Sequence, residues 1–194
     1  MTPSLAQLKA ALREEVRAKL GTLSSESQAG RGVKLRDRLL ATESWKNAQS
    51  VLLFAPLADE PEVWPLAAAC LAAKKILGLP RFAPAPAAYV AGQVRDLARD
   101  LAFGKFQIRE PTATCPELPL AGFDLVLVPG VAFDLCGRRL GRGRGFYDRL
   151  LTGIRGLKCG VALDEQVVTE VPNTDLDVRM DVILTPTRWV KTGA

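Results

Sequence analysis

The sequence predicts an α/β layer structure, because two kinds of segment alternate along it. Residues 50–54 and 123–128 are short, almost unbroken apolar runs, the pattern of strands covered on both faces. Between and around such runs lie stretches with helical spacing, and strands alternating with helices define the α/β class. A chain of 194 residues with 48% hydrophobic and 24% charged residues is sized and composed for one globular domain.

In chain order, Leu5, Leu8, Leu12, Val16 and Leu20 recur at three- and four-residue steps and define the buried face of a first helix. Lys9 and Arg13 stand four apart beside that stripe. Ser24 or Ser25 is placed to cap a second helix over 26–41, which stops before Glu43-Ser44-Trp45. The strand at 50–54 follows, then an alanine-rich helix over 63–75 and a strand over 76–79. Prolines concentrate in the next part of the chain, at Pro80, Pro84, Pro86, Pro111, Pro116 and Pro119, and predict short strands and turns. Regularity returns with the strand at 123–128, stopped by Pro129-Gly130, and with strands over 158–163 and 181–185. The N-terminal helices thus occupy 4–41 and the α/β core 50–190, with no repeat or linker between them.

Composition narrows the chemistry. There is no histidine, which excludes Ser-His-Asp and Cys-His nucleophiles and His-ligated zinc. Cys70, Cys115, Cys136 and Cys159 are scattered without a C-x-x-C pair, as in a reduced cytoplasmic protein. The first twenty residues are too charged for a secretion signal, and no apolar run is long enough to span a bilayer. Carboxylates, lysines and arginines must supply the chemistry, and the net charge of +5 favours anionic partners.

The most informative stretch is 127–151, LVPGVAFDLCGRRLGRGRGFYDRLL. It starts as a strand, passes through Gly137, Gly141, Gly143 and Gly145, and becomes helical over 146–151. Glycines at alternate positions leave backbone N–H groups open to an anion. Arg138, Arg139, Arg142 and Arg144 add forked donors matched to phosphate oxygens. The spacing is neither a Walker A loop nor a dinucleotide G-x-G-x-x-G. By spacing alone it remains either a polyphosphate loop or a basic turn that touches RNA.

The run Gly137-Arg138-Arg139-Leu140-Gly141-Arg142-Gly143-Arg144-Gly145-Phe146-Tyr147-Asp148 resembles the signature of the 5-formyltetrahydrofolate cyclo-ligase family. Pro129-Gly130-Val131-Ala132-Phe133-Asp134 fits the same block. Lys9-Ala10-Ala11-Leu12-Arg13, Phe54 with Asp59-Glu60, and Met180-Asp181-Val182-Ile183-Leu184-Thr185-Pro186 resemble further family segments in order. The resemblance implies a three-layer α/β/α domain around a mainly parallel sheet. It also implies cyclisation of 5-formyltetrahydrofolate to 5,10-methenyltetrahydrofolate with ATP as co-substrate and Mg²⁺, and no histidine is required for phosphoryl transfer of that kind.

Carried onto this chain, the resemblance assigns Lys9, Arg13, Arg139, Leu140, Gly141, Arg142, Gly143, Arg144, Gly145, Phe146 and Tyr147 to ATP. Ala55, Glu60 and the stretch from Arg142 to Phe146 would meet the folate, Arg142 and Arg144 would be catalytic, and Asp148 and Asp181 would hold magnesium. Each has a plainer alternative: a solvated helix face for Lys9 and Arg13, a loop acid for Glu60, core for Ala55, a helix-dipole partner for Asp148 and a strand-entry cap for Asp181. Phe146 stands where the family commonly has tyrosine, and Leu176-Asp177 where it often has a His-Asp pair. Trp45, Trp64 and Trp189 are candidates for ring stacking but equally for core. The expected protein is a cytoplasmic monomer acting on small molecules, with no nucleic-acid or membrane partner. Two other functions fit the residues alone: a phosphotransferase with another acceptor, and a basic nucleic-acid-binding module, although 6% aromatics is sparse for a stacking platform.

Overall fold

The computed structural model describes residues 2–193 except 24, 86, 105 and 106, and in 25–29 the backbone only. The Ser24 cap and Pro86 therefore lie outside the described residues. The chain runs α1 (Leu5–Gly21), α2 (Ser25–Leu40), α3 (Glu43–Asn47), β1 (Ser50–Leu52), α4 (Trp64–Ala72), β2 (Ile76–Ala83), β3 (Ala88–Val94), β4 (Leu101–Phe103), β5 (Arg109–Pro111) and β6 (Glu117–Leu118). It continues β7 (Leu125–Pro129), β8 (Ala132–Phe133), β9 (Arg139–Leu140), α5 (Phe146–Leu151), β10 (Leu157–Val161), β11 (Val182–Leu184) and β12 (Trp189–Lys191).

The main sheet has the order β12-β11-β10-β7-β1-β2-β3-β6. Its five central strands pair in parallel, while β12 pairs antiparallel with β11 at one edge and β3 pairs antiparallel with both β2 and β6 at the other. The fold is α/β with a mainly parallel sheet. Strand residues alternate between two cores as the pleat requires. Val51, Leu125, Leu127, Val182 and Leu184 join Leu35, Leu39, Leu66 and Cys70 of α2 and α4 on one face. Leu52, Val126, Val128 and Ile183 join Leu150 and Leu151 of α5 on the other. Burial on both faces is why these strands read as unbroken apolar runs.

Some expectations change. The second helix ends at Leu40, before residue 43 as expected, but a further short helix follows it directly. Thr42 starts α3 by accepting a hydrogen bond from the Trp45 N–H at 3.1 Å, and Trp45 becomes core. β2 runs on through Pro80 to Ala83. The backbones of Ile76 and Gly78 bond towards β1, so Pro80 turns its missing N–H to the same side, where β1 has already ended. The alternating stripe of α1 is buried only in its second half: Val16 packs on Val131, Ala132 and Leu140, whereas Leu5 and Leu8 are exposed. The β8–β9 hairpin and β12 are further elements, each too short to show a period. Among the described residues, no helix is long and apolar enough to cross a membrane.

Candidate functional site

A cleft of about 650 Å³ opens at the carboxyl ends of β1 and β7. These two strands flank the point where the strand order reverses, the usual ligand position in open α/β sheets. Ala55, just beyond β1, and Pro129-Gly130, at the end of β7, form its floor. The volume is that of a ligand pocket rather than a surface dimple.

One wall is the arginine-glycine arm. Leu140, Gly141, Arg142, Gly143, Arg144, Gly145, Phe146, Tyr147 and Asp148 all line the cleft. The arm turns at Gly143 and Gly145, whose φ values of +96° and +63° are reached freely only by glycine. Gly145 begins α5, a helix of six residues with no side-chain cap, so the positive field here comes chiefly from the arginines. Arg139 is buried, donates through Nη2 to Asp148 Oδ1 at 2.7 Å and through Nη1 to the Pro129 carbonyl at 3.2 Å, and thereby ties the arm to the floor.

The first helix closes the cationic side. Arg13 Nε donates to the Gly141 carbonyl at 2.9 Å, and Lys9 Nζ pairs with Asp177 Oδ2 at 2.6 Å. Both basic residues line the cleft, so the solvated-face alternative does not hold for them. Asp177 also lines it. Burial alone would raise its pKa, but the Lys9 ammonium and the Thr174 N–H hold it below the ordinary aspartate range.

The opposite wall is acidic and aromatic. Glu60 is not an exposed loop acid: its side chain is only 7% exposed, Oε2 accepts from the Leu57 N–H at 3.0 Å, and Oε1 accepts from Arg142 Nε at 3.2 Å. Burial raises its pKa more than Leu57 and Arg142 lower it. Arg142 also reaches Asp59 at 2.5 Å; burial works against its charge, and the two carboxylates outweigh that and raise its pKa. Tyr89 stands edge-on to Phe82 and Phe146 at 5.9 and 5.4 Å between ring centres, and tilted towards Tyr147 at 6.3 Å. Burial pushes the hydroxyls of Tyr89 and Tyr147 above the ordinary tyrosine range, so both are hydrogen-bond donors at neutral pH.

The structure thus gathers Lys9, Arg13, Ala55, Glu60 and every proposed residue from Arg139 to Asp148 around one space. It does not bring Asp181 there. That residue precedes β11, at the opposite end of the sheet, where its carboxylate accepts from the Lys158 N–H at 2.7 Å in the manner of the strand-entry cap. Trp45 and Trp189 pack with the core of α2 and α4, and Trp64 stacks under Arg109 at 4.9 Å; none lines this cleft. Asp177, Tyr89 and Glu110 are cleft residues that the sequence did not single out as site members. Only Asp177 carried a signal, as the second member of the His-Asp position. Tyr89 and Glu110 lie in the proline-rich part whose pairing no local pattern reveals.

Asp148 and Asp177 are the cleft carboxylates nearest in role to hard-cation ligands. Mg²⁺ takes one or two such groups and completes its shell with water and phosphate oxygens. Asp148 fits: Oδ1 is engaged by Arg139, and Oδ2 carries no hydrogen bond among the described residues.

A cationic cradle faces an aromatic and acidic wall at the switch point of a parallel sheet, an arrangement chemically suited to an anionic phosphate beside a flat ring. The sequence model of the 5-formyltetrahydrofolate cyclo-ligase family matches residues 6–186. The chain belongs to that family. It is 29% identical to the 5-formyltetrahydrofolate cyclo-ligase of Escherichia coli K12 over 177 residues, covering 89% of this chain and 97% of the relative, and 25% identical to the mouse protein over 187 residues, covering 91% and 92%. Its structure superposes on that of Aquifex aeolicus 5,10-methenyltetrahydrofolate synthetase with a TM-score of 0.87 at 34% identity, covering 96% of this chain and 94% of that one. The Mycoplasma pneumoniae synthetase, at 20% identity and TM-score 0.73 over 92% of this chain and 98% of its own, shares the fold.

Proposed function

We propose that the protein cyclises 5-formyltetrahydrofolate to 5,10-methenyltetrahydrofolate, with ATP converted to ADP and phosphate. The observation that carries this reading is the pairing, in one cleft, of five basic side chains with an aromatic wall and a buried carboxylate. In the reaction, the formyl oxygen attacks the γ-phosphorus, the bond to ADP breaks, and a phosphorylated imidate forms. N10 then attacks the formyl carbon and loses its proton, and phosphate leaves as the ring closes.

Lys9, Arg13 and Arg139 hold the triphosphate against the glycine amides. Arg142 and Arg144 sit at the junction with the folate and neutralise charge on the transferring group, a positioning and electrostatic role that suits an active site without histidine. Glu60 orients the pterin side, and the rings of Phe146 and Tyr147 pack against it. Asp148, with Asp177 in place of Asp181, would hold Mg²⁺, which shields the phosphate oxygens when bound. The cleft is concave and built within one chain, which fits a monomer on a small substrate, polyglutamylated forms included, better than a nucleic-acid surface. Four free cysteines fit a reducing, cytoplasmic compartment.

The test is absorbance in the methenyltetrahydrofolate band with purified protein, ATP, Mg²⁺ and 5-formyltetrahydrofolate. A rise that requires both ATP and Mg²⁺ is expected. No rise from folded protein that binds ATP would reject the folate as acceptor and leave a phosphotransferase with another substrate.

A further inference from the structure

Arg142 stands on a stretch of chain that does not hold it still. The arm turns at Gly143, the next residue, with φ of +96°, and a side chain beside such a turn needs an anchor elsewhere. The loop after β1 supplies one. Pro56 and Pro61 bracket that loop and fix φ at both ends. Between them the Glu60 N–H donates to the Leu57 carbonyl at 3.0 Å, and the Leu57 N–H donates back to Glu60 Oε2 at 3.0 Å. A turn closed twice is a rigid post for a mobile arm.

Glu60 alone does not fix the guanidinium. Its Oε2 is engaged by Leu57, so Arg142 Nε and Nη2 both meet the single atom Oε1, each at 3.2 Å. Two donors on one oxygen form a pivot, whereas a fork on two oxygens fixes the plane of the group. Asp59 supplies the second oxygen: its Oδ1 accepts from Nη2 at 2.5 Å. With that edge clamped, Nη1 carries no hydrogen bond among the described residues, and Arg142 lines the cleft. Asp59 does not line it. Its side chain is 47% exposed and borders a separate hollow beside the end of α1, with Arg17 and Leu20.

We infer that Asp59 is a positioning residue for the proposed reaction: with Glu60 it clamps the Nε–Nη2 edge of Arg142, so that Nη1 is presented to the transferring phosphoryl group in a fixed orientation. The inference rests on the reaction proposed above and adds a residue that acts on it only through Arg142. A partly exposed ion pair adds little to folding stability, so its loss should be read in the rate rather than in the melting temperature. Misplacement of a reacting group by about 1 Å can cost on the order of 10²-fold, and here one of the two acceptors remains.

The test is steady-state turnover of 5-formyltetrahydrofolate with ATP and Mg²⁺, beside calorimetric titration with ATP. Asp59→Asn and Asp59→Ala should each lower kcat about 10-fold, with the KM for folate and the affinity for ATP within about threefold of wild type. Glu62→Gln removes the same charge from the same loop, where Glu62 accepts from the Trp64 N–H and does not touch Arg142. It should leave kcat within twofold. In an Arg142→Ala background, Asp59→Asn should cost no more than a further twofold, since there is no guanidinium left to hold.

Wild-type kcat in both Asp59 variants would overturn the inference. So would an equal loss in Glu62→Gln, a full 10-fold loss in the Arg142→Ala background, or a loss of ATP affinity and melting temperature together with rate, which would make Asp59 a structural part of its loop. Wild-type protein that binds ATP but forms no methenyltetrahydrofolate would instead overturn the proposed function itself.

Discussion

The two walls of the cleft are encoded in opposite ways. The cationic wall is mostly one stretch, residues 139–148, in which glycines and arginines alternate and each residue's neighbours in sequence are its neighbours in space. The facing wall is assembled from the loop after β1 with Glu60, from β3 with Tyr89 and from β5 with Glu110. A phosphate is met by many equivalent donors, so a local, repetitive segment suffices. A ring needs a few groups at fixed positions, and rigid strands from distant parts of the chain supply them.

The comparison breaks most sharply at Arg142, which bridges the walls through Asp59 and Glu60. Arg142→Ala should lower kcat on the order of 10³-fold, as for other arginines that stabilise phosphoryl transfer, with little change in melting temperature because the side chain is 35% exposed. Turnover within threefold of wild type would remove it from the reacting centre. Next comes Asp148→Asn, expected to cost on the order of 10²-fold and to raise the Mg²⁺ concentration for half-maximal rate. An unchanged magnesium titration would restrict Asp148 to holding Arg139.

On the facing wall, Glu60→Gln should weaken folate binding about tenfold and leave ATP binding alone. Burial raises the Glu60 pKa, so its charged form is lost, and folate affinity falls, as pH drops through a value above the ordinary 4.5 for glutamate. That acid limb should vanish in the Gln variant; its persistence would assign it to another group. The smallest effect belongs to Asp181→Asn. Its carboxylate bonds the Lys158 N–H away from the cleft, so turnover and magnesium dependence should stay within twofold. A large loss there would place the metal site at the other end of the sheet.

How far the sequence can be read follows the same division. The strands at β1, β7 and β11 were legible because burial on both faces leaves no polar residue to break the run. α5 was legible in its full range, being the first place after the glycines where helical residues are continuous. Pro80 hid the length of β2, since its compatibility with the strand depends on β1 ending beside it. Lys9 and Arg13 looked like any exposed pair on a helix, and only the docking of α1 against the β8–β9 hairpin turns them towards Gly141 and Asp177.

The sequence by itself determined the α/β class, the absence of histidine chemistry and the arginine-glycine arm, because these follow from composition, period and contiguous spacing. Tertiary structure alone decided that Glu60 is buried, that one oxygen of Glu110 is unpaired among the described residues, and that Asp177 rather than Asp181 reaches the cleft. Burial and partnership are set by what the strand order brings alongside each residue, and strand order is a long-range property that no local run of residues contains.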